Sequence, residues 1–89
     1  MLDKNFKDII SNIKEEIINT QIKTMQEVNS NLIMLYFKLG KIVSQNKQYG
    51  NNFAKQVSTE LKLTFPNMKG FFKRNIRSMR LFYEEYADD

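Results

Sequence analysis

Met68-Lys69-Gly70-Phe71-Phe72-Lys73-Arg74-Asn75-Ile76-Arg77-Ser78-Met79-Arg80-Leu81-Phe82-Tyr83 is the stretch on which the reading of this chain turns. All three arginines of the protein fall inside it, at positions 74, 77 and 80, and no acid lies between Glu60 and Glu84. At ~100° per residue, a helix through this stretch sets Lys73, Arg77, Arg80 and Glu84 on one face. Phe72, Ile76, Met79, Tyr83 and Tyr86 then cluster about 120° away. One side is built to pack and the other to meet negative charge.

Working outward, Gly70 and Pro66 bound a turn over residues 65–70. Proline restricts the residue before it and has no amide hydrogen to donate, so a preceding helix ends there. Phe53, Ala54, Val57, Leu61 and Phe65 follow helical spacing, which predicts a helix over 51–64 with Asn51 or Asn52 as its N-cap. The helix after the turn is expected over 71–86. Two helices joined by a glycine-containing turn spell a helix-turn-helix-like pair, with the connection longer than the usual three or four residues.

Further upstream, Asn46 to Asn52 reads as a polar break. Before it, Phe6, Ile9, Ile10, Ile13, Ile17, Met25, Val28, Leu32, Leu35, Leu39 and Val43 recur in steps of three and four. Residues 1–47 are therefore one long amphipathic helix, or two helices meeting near Asn29, and the periodicity favours continuity. If it is continuous, its first half projects and the isoleucine stripe needs a partner, a second copy of the chain being the expected one. The alternative is that Ile9, Ile13 and Ile17 form ordinary core. Gly40 sits inside the helical pattern, where it costs about 1 kcal/mol relative to alanine, so close approach of another helix is expected there. Nothing alternates at period two, and the expected fold is all-α, a single helical domain over 1–89.

The chain has 89 residues, no cysteine and no histidine. That removes thiolate and imidazole chemistry and nearly every zinc site, so no cofactor or metal is expected. No apolar run is long enough to cross a membrane, and a cytoplasmic protein is expected. The net charge of +4 conceals an asymmetry. Residues 1–27 carry four lysines and five acids, residues 28–83 seven lysines, three arginines and one glutamate, and residues 84–89 four acids. The middle block is a field that favours a polyanionic partner.

Arginine suits that task because its planar fork holds a phosphate, or guanine O6 and N7, through two hydrogen bonds. Lys69 precedes the second helix of the pair, and Lys73, Arg74, Arg77 and Arg80 occupy its first turns, the end that enters a major groove. Asn75 and Ser78 lie beside this face. Catalytic readings fare badly. Glu60-Leu61-Lys62 matches the Glu-x-Lys tripeptide of metal-dependent nucleases, yet it falls in a helix where Leu61 is wanted for the core. The acids at 84–89 read as a solvated tail.

A series of motifs now carries a resemblance. Asn29-Ser30, Leu32, Leu35-Tyr36-Phe37, Leu39-Gly40 and Val43 are followed by Tyr49-Gly50, and then by Leu61 with Phe65-Pro66. Lys69-Gly70-Phe71, Arg74-Asn75-Ile76, Met79-Arg80 and Phe82-Tyr83 close the series. Together, over roughly residues 20–86, they resemble the N-terminal domain of the YhcG-like nuclease family. The resemblance implies a helical DNA-binding domain ahead of a PD-(D/E)xK nuclease domain, with that second domain absent from this chain and no catalytic residue to carry over. It matches Lys69, Arg74, Asn75 and Arg80 to the family pattern; Lys73 and Arg77 come from helical geometry alone. Two departures stand out: Phe72 replaces a serine that would cap the last helix, and Tyr49 replaces a tryptophan.

Three functions follow as expectations. The first is a non-catalytic DNA-binding module for duplex or branched DNA, dimeric through the N-terminal helix. The second is a protein-interaction module that docks a partner or the missing nuclease domain. The third, RNA binding through exposed aromatics, is disfavoured because Phe72, Tyr83 and Tyr86 fall at core spacing.

Overall fold

The computed structural model describes residues 4–20, 30–46, 49–50 and 52–87. They form four helices: α1 (Lys4–Thr20), α2 (Ser30–Ser44), α3 (Phe53–Thr64) and α4 (Lys73–Tyr86). No strand occurs among the described residues, and the fold is all-α. No helix among them is long and apolar enough to cross a membrane.

Of the two readings of residues 1–47, the one with separate helices holds. α1 packs against both α2 and α3. A single straight helix cannot bring its first half back onto its second, so the expected continuity is corrected. The junction near Asn29 lies outside the described residues, as do the candidate cap Asn51 and the tail residues Asp88 and Asp89. Phe6, Ile10, Ile13 and Ile17 of α1 are buried with Leu32, Leu35, Leu39 and Val43 of α2. Phe53, Val57 and Leu61 of α3 complete this core with Phe71, Ile76 and Met79. The isoleucine stripe is thus core within one chain.

The most extensive contact is between α2 and α4, and Gly40 is what allows it. A Cβ at position 40 would overlap the Met79 carbonyl oxygen, lie 2.6 Å from the Met79 carbonyl carbon and reach 3.0 Å from Tyr83 Cβ. The glycine inside the helical pattern marks a close helix crossing.

The α2–α3 connection is fastened by aromatic rings. Tyr49 stacks on Phe53 at 5.3 Å between centroids, and Phe6 meets the two rings edge-on at 5.8 and 5.7 Å. Tyr49 therefore serves as an aromatic anchor for the turn. Asn52 is the N-cap of α3, but its side chain makes no capping bond. α3 ends at Thr64, immediately before Phe65-Pro66, and the Phe65 amide donates to the Leu61 carbonyl.

The connection from α3 to α4 is held by two side chains. The buried Ser58 hydroxyl donates to the Phe71 carbonyl, and Asn75 Nδ2 donates to the Gly70 carbonyl at 2.8 Å. Gly70 has φ 107°, a conformation that a side chain would strain. Replacing Ser58 by alanine leaves the buried Phe71 carbonyl without this donor, at a cost of about 1–3 kcal/mol. The urea midpoint of Ser58→Ala is expected to fall accordingly; an unchanged midpoint would show that the hydroxyl does not hold the connection.

Burial pushes the Tyr36 phenol above its ordinary value of 10.0. The fold prefers the neutral phenol, so this contribution is complete below the unfolded value and is lost as pH rises through it toward the folded value. Melting temperature is expected to drop more steeply above pH 10 in the wild type than in Tyr36→Phe. Parallel curves would contradict a desolvated phenol.

Candidate nucleic-acid interface

α4 is where the basic residues gather, and its charges run against its own dipole. A helix N-terminus carries partial positive charge and favours acids, and a C-terminus favours bases. The first turn of α4 holds no acid and its last turn no base. Lys73 and Arg74 open the helix, and Glu84 and Glu85 stand near its end. Each misplaced charge costs roughly 0.3–1 kcal/mol at the surface. An added anion at the N-terminal end would relieve that cost.

The helix start is weak in a second way. Phe72 is the N-cap, with φ −76° and ψ 152°, and supplies no side-chain hydrogen bond to the first-turn amides. The backbone is already in the extended form that a serine cap adopts, so Phe72 lacks the capping bond and not the geometry. Phe72 is 52 % exposed, and Lys62 Nζ lies 4.9 Å above its ring. Only Ile76 and Met79 of the expected packing face are fully buried, and Tyr83 is half-buried. Phe72 and Tyr86, expected on that face, are exposed.

Elsewhere two lysines are matched between helices. Lys14 of α1 lies 4.0 Å from Glu60 of α3, and Lys38 of α2 lies 3.8 Å from Glu16 of α1. Glu60 is therefore an ion-pair partner, and Leu61 of the Glu-x-Lys tripeptide is core, as expected. On α4, Arg80 donates to Glu84 at 3.3 Å, and the Ser44 hydroxyl of α2 donates to the same carboxylate at 2.7 Å. Lys73, Arg74 and Arg77 are exposed, and none has an acidic partner among the described residues.

The expected site residues separate into three groups. Lys73, Arg77 and Arg80, in steps of four and three, line one wall of a cleft of about 530 Å³. Asn46 and Gly50 of the α2–α3 connection contribute to the cleft, whose apolar lining is Val43, Phe53 and Ala54. Arg74 and Lys69 are exposed and lie off this cleft. Asn75 is half-buried and directs its amide at the turn, which positions α4. Sequence spacing did not find the part played by Asn46 and Gly50. The polar break was visible, but its approach to α4 depends on how α2 and α4 cross.

The family model described as the DUF1016 N-terminal domain matches residues 12–89. No curated protein and no solved structure matches the chain.

Proposed function

This chain belongs to the DUF1016 N-terminal domain family, and from that premise we propose that it is the DNA-binding module of a nuclease-family protein, without catalysis of its own. The observation that carries the proposal is the clustering of cations at the start of α4. Lys73, Arg74 and Arg77 stand together on its first turns, exposed and without an acidic partner among the described residues, and the first turn holds no acid. In this reading α4 lies against the duplex with that end inward. Lys73, Arg74 and Arg77 bind phosphates or guanine edges, and Lys69 adds a flanking contact. Arg80, shared with Glu84, contributes less, and Asn75 positions the helix. Work in the cytoplasm follows from the same reading.

A second reading is favoured by exposed apolar side chains. Ile33 and Met34 of α2 and Leu81 and Tyr86 of α4 are exposed, an arrangement that suits a protein partner. A second copy would have to use such residues, since Ile10, Ile13 and Ile17 are occupied within the chain. Fluorescence anisotropy with labelled duplex, single-stranded and junction DNA at low salt separates the readings. DNA binding predicts saturable binding to at least the duplex or the junction. No binding to any of the three would overturn it in favour of the protein-partner reading.

A further inference from the structure

The cleft beside α4 does something that a helix lying on a duplex does not require. A duplex backbone is convex and meets cations on a ridge or an open face. Here Lys73 and Arg77 border a half-open hollow of about 530 Å³, within the size range of small-ligand pockets. Its lining combines these cations with the polar Asn46 and the exposed Gly50, over Val43, Phe53 and Ala54, which are themselves buried. At Gly50, with φ 78°, a Cβ would meet nothing within 4 Å, so the backbone there is open to an incoming group.

The charge count narrows the ligand. Glu84 offsets Arg80, which leaves the two positive charges of Lys73 and Arg77 without acidic partners. An internal phosphodiester carries a single negative charge, whereas a phosphomonoester carries about −1.5 to −2 at pH 7. We propose that this cleft is a phosphomonoester pocket that takes the phosphorylated end of a nucleic-acid strand, with the phosphate on Lys73 and Arg77 and the terminal nucleoside toward Gly50. The proposal deepens the DNA-binding reading and rests on it for the source of the phosphate.

The test compares one single-stranded oligonucleotide carrying a 5′-phosphate, a 3′-phosphate or hydroxyls at both ends, by anisotropy at ~0.1 M salt. The extra charge is expected to tighten binding of one phosphorylated form by about 10-fold over the hydroxyl form. Arg77→Gln should bring that ratio to about one, while Arg74→Gln, off the cleft, should weaken all three forms and leave the ratio intact. In parallel, a nucleoside monophosphate and the matching nucleoside are titrated into labelled protein by NMR. The monophosphate alone is expected to shift the Asn46 and Gly50 amides. If DNA binds with a ratio of one and the monophosphate shifts nothing, the pocket is overturned and the DNA reading stands. If no DNA binds but the monophosphate shifts those amides in the wild type and not in Arg77→Gln, the DNA reading falls and the pocket belongs to a free nucleotide. Failure of both ligands overturns both.

Discussion

Gly40→Ala is expected to lower stability by about 2–3 kcal/mol, although alanine is the better helix former. On an isolated helix the same change would stabilise by about 1 kcal/mol. Here the new methyl meets the backbone of Met79, at 2.6 Å from its carbonyl carbon, and no rotamer change can clear a carbonyl. α2 and α4 must move apart along the most extensive contact in the fold, which loosens Leu39, Ile76 and Met79 together. For a domain of this size such a loss shifts the melting temperature by roughly 10–20 °C. It also removes a large share of a total stability on the order of 5–13 kcal/mol. Thermal and urea unfolding measure the effect directly. A Gly40→Ala protein that melts above the wild type would show that the two helices do not meet there.

Arg74→Ala combined with Arg77→Ala is expected to weaken duplex binding by about 60-fold at ~0.1 M salt while leaving the fold intact. Each neutralised phosphate contributes roughly 0.9 to the dependence of log affinity on log salt, so two lost contacts remove about 1.8 log units at that salt. Both side chains are exposed and make no ion pair among the described residues, so truncation disturbs no internal partner. Removing two cations from a helix N-terminus relieves the unfavourable dipole interaction, and stability should hold or rise slightly. The matching control is Lys4→Ala with Lys7→Ala, which removes the same charge from exposed positions on another helix, α1. Equal losses from both pairs would mean that net charge and not α4 binds the DNA.

Local chemistry made most of the fold readable. The steps from Phe6 through Ile10 and Ile13 to Ile17, and from Leu32 through Leu35 to Leu39, are the buried faces of α1 and α2. Pro66 stopped α3 where a residue without an amide hydrogen must. Gly40 announced a close crossing because a glycine inside a helix costs stability without such a reason. The path between α1 and α2 was harder, since the polar residues around Asn29 suit a helix surface and a break equally. Burial at the ends of α4 was also hidden: Phe72 and Tyr86 share the period of Ile76 and Met79 but are exposed, and the period alone does not tell the two pairs apart.

The site divides in the same way. The helical repeat placed Lys73, Arg77 and Arg80 on one face, and all three line the cleft. That Arg80 would be held by Glu84 was implicit in the same repeat, because residues four apart on a helix are neighbours. The Ser44 hydroxyl that shares Glu84 comes from another helix, and so do Asn46 and Gly50 in the cleft from another connection. Contacts between elements distant in sequence leave no local pattern to read. Asn75 shows a different limit: its place beside the arginines suggested a contact with DNA, and its amide holds the Gly70 turn.

The central claim is that α4 meets DNA through charge, and a salt titration of wild-type binding to a labelled duplex tests it most directly. With about four phosphates neutralised, log affinity should fall against log salt with a slope near −3.6. A slope near zero, or no binding at low salt, would contradict it.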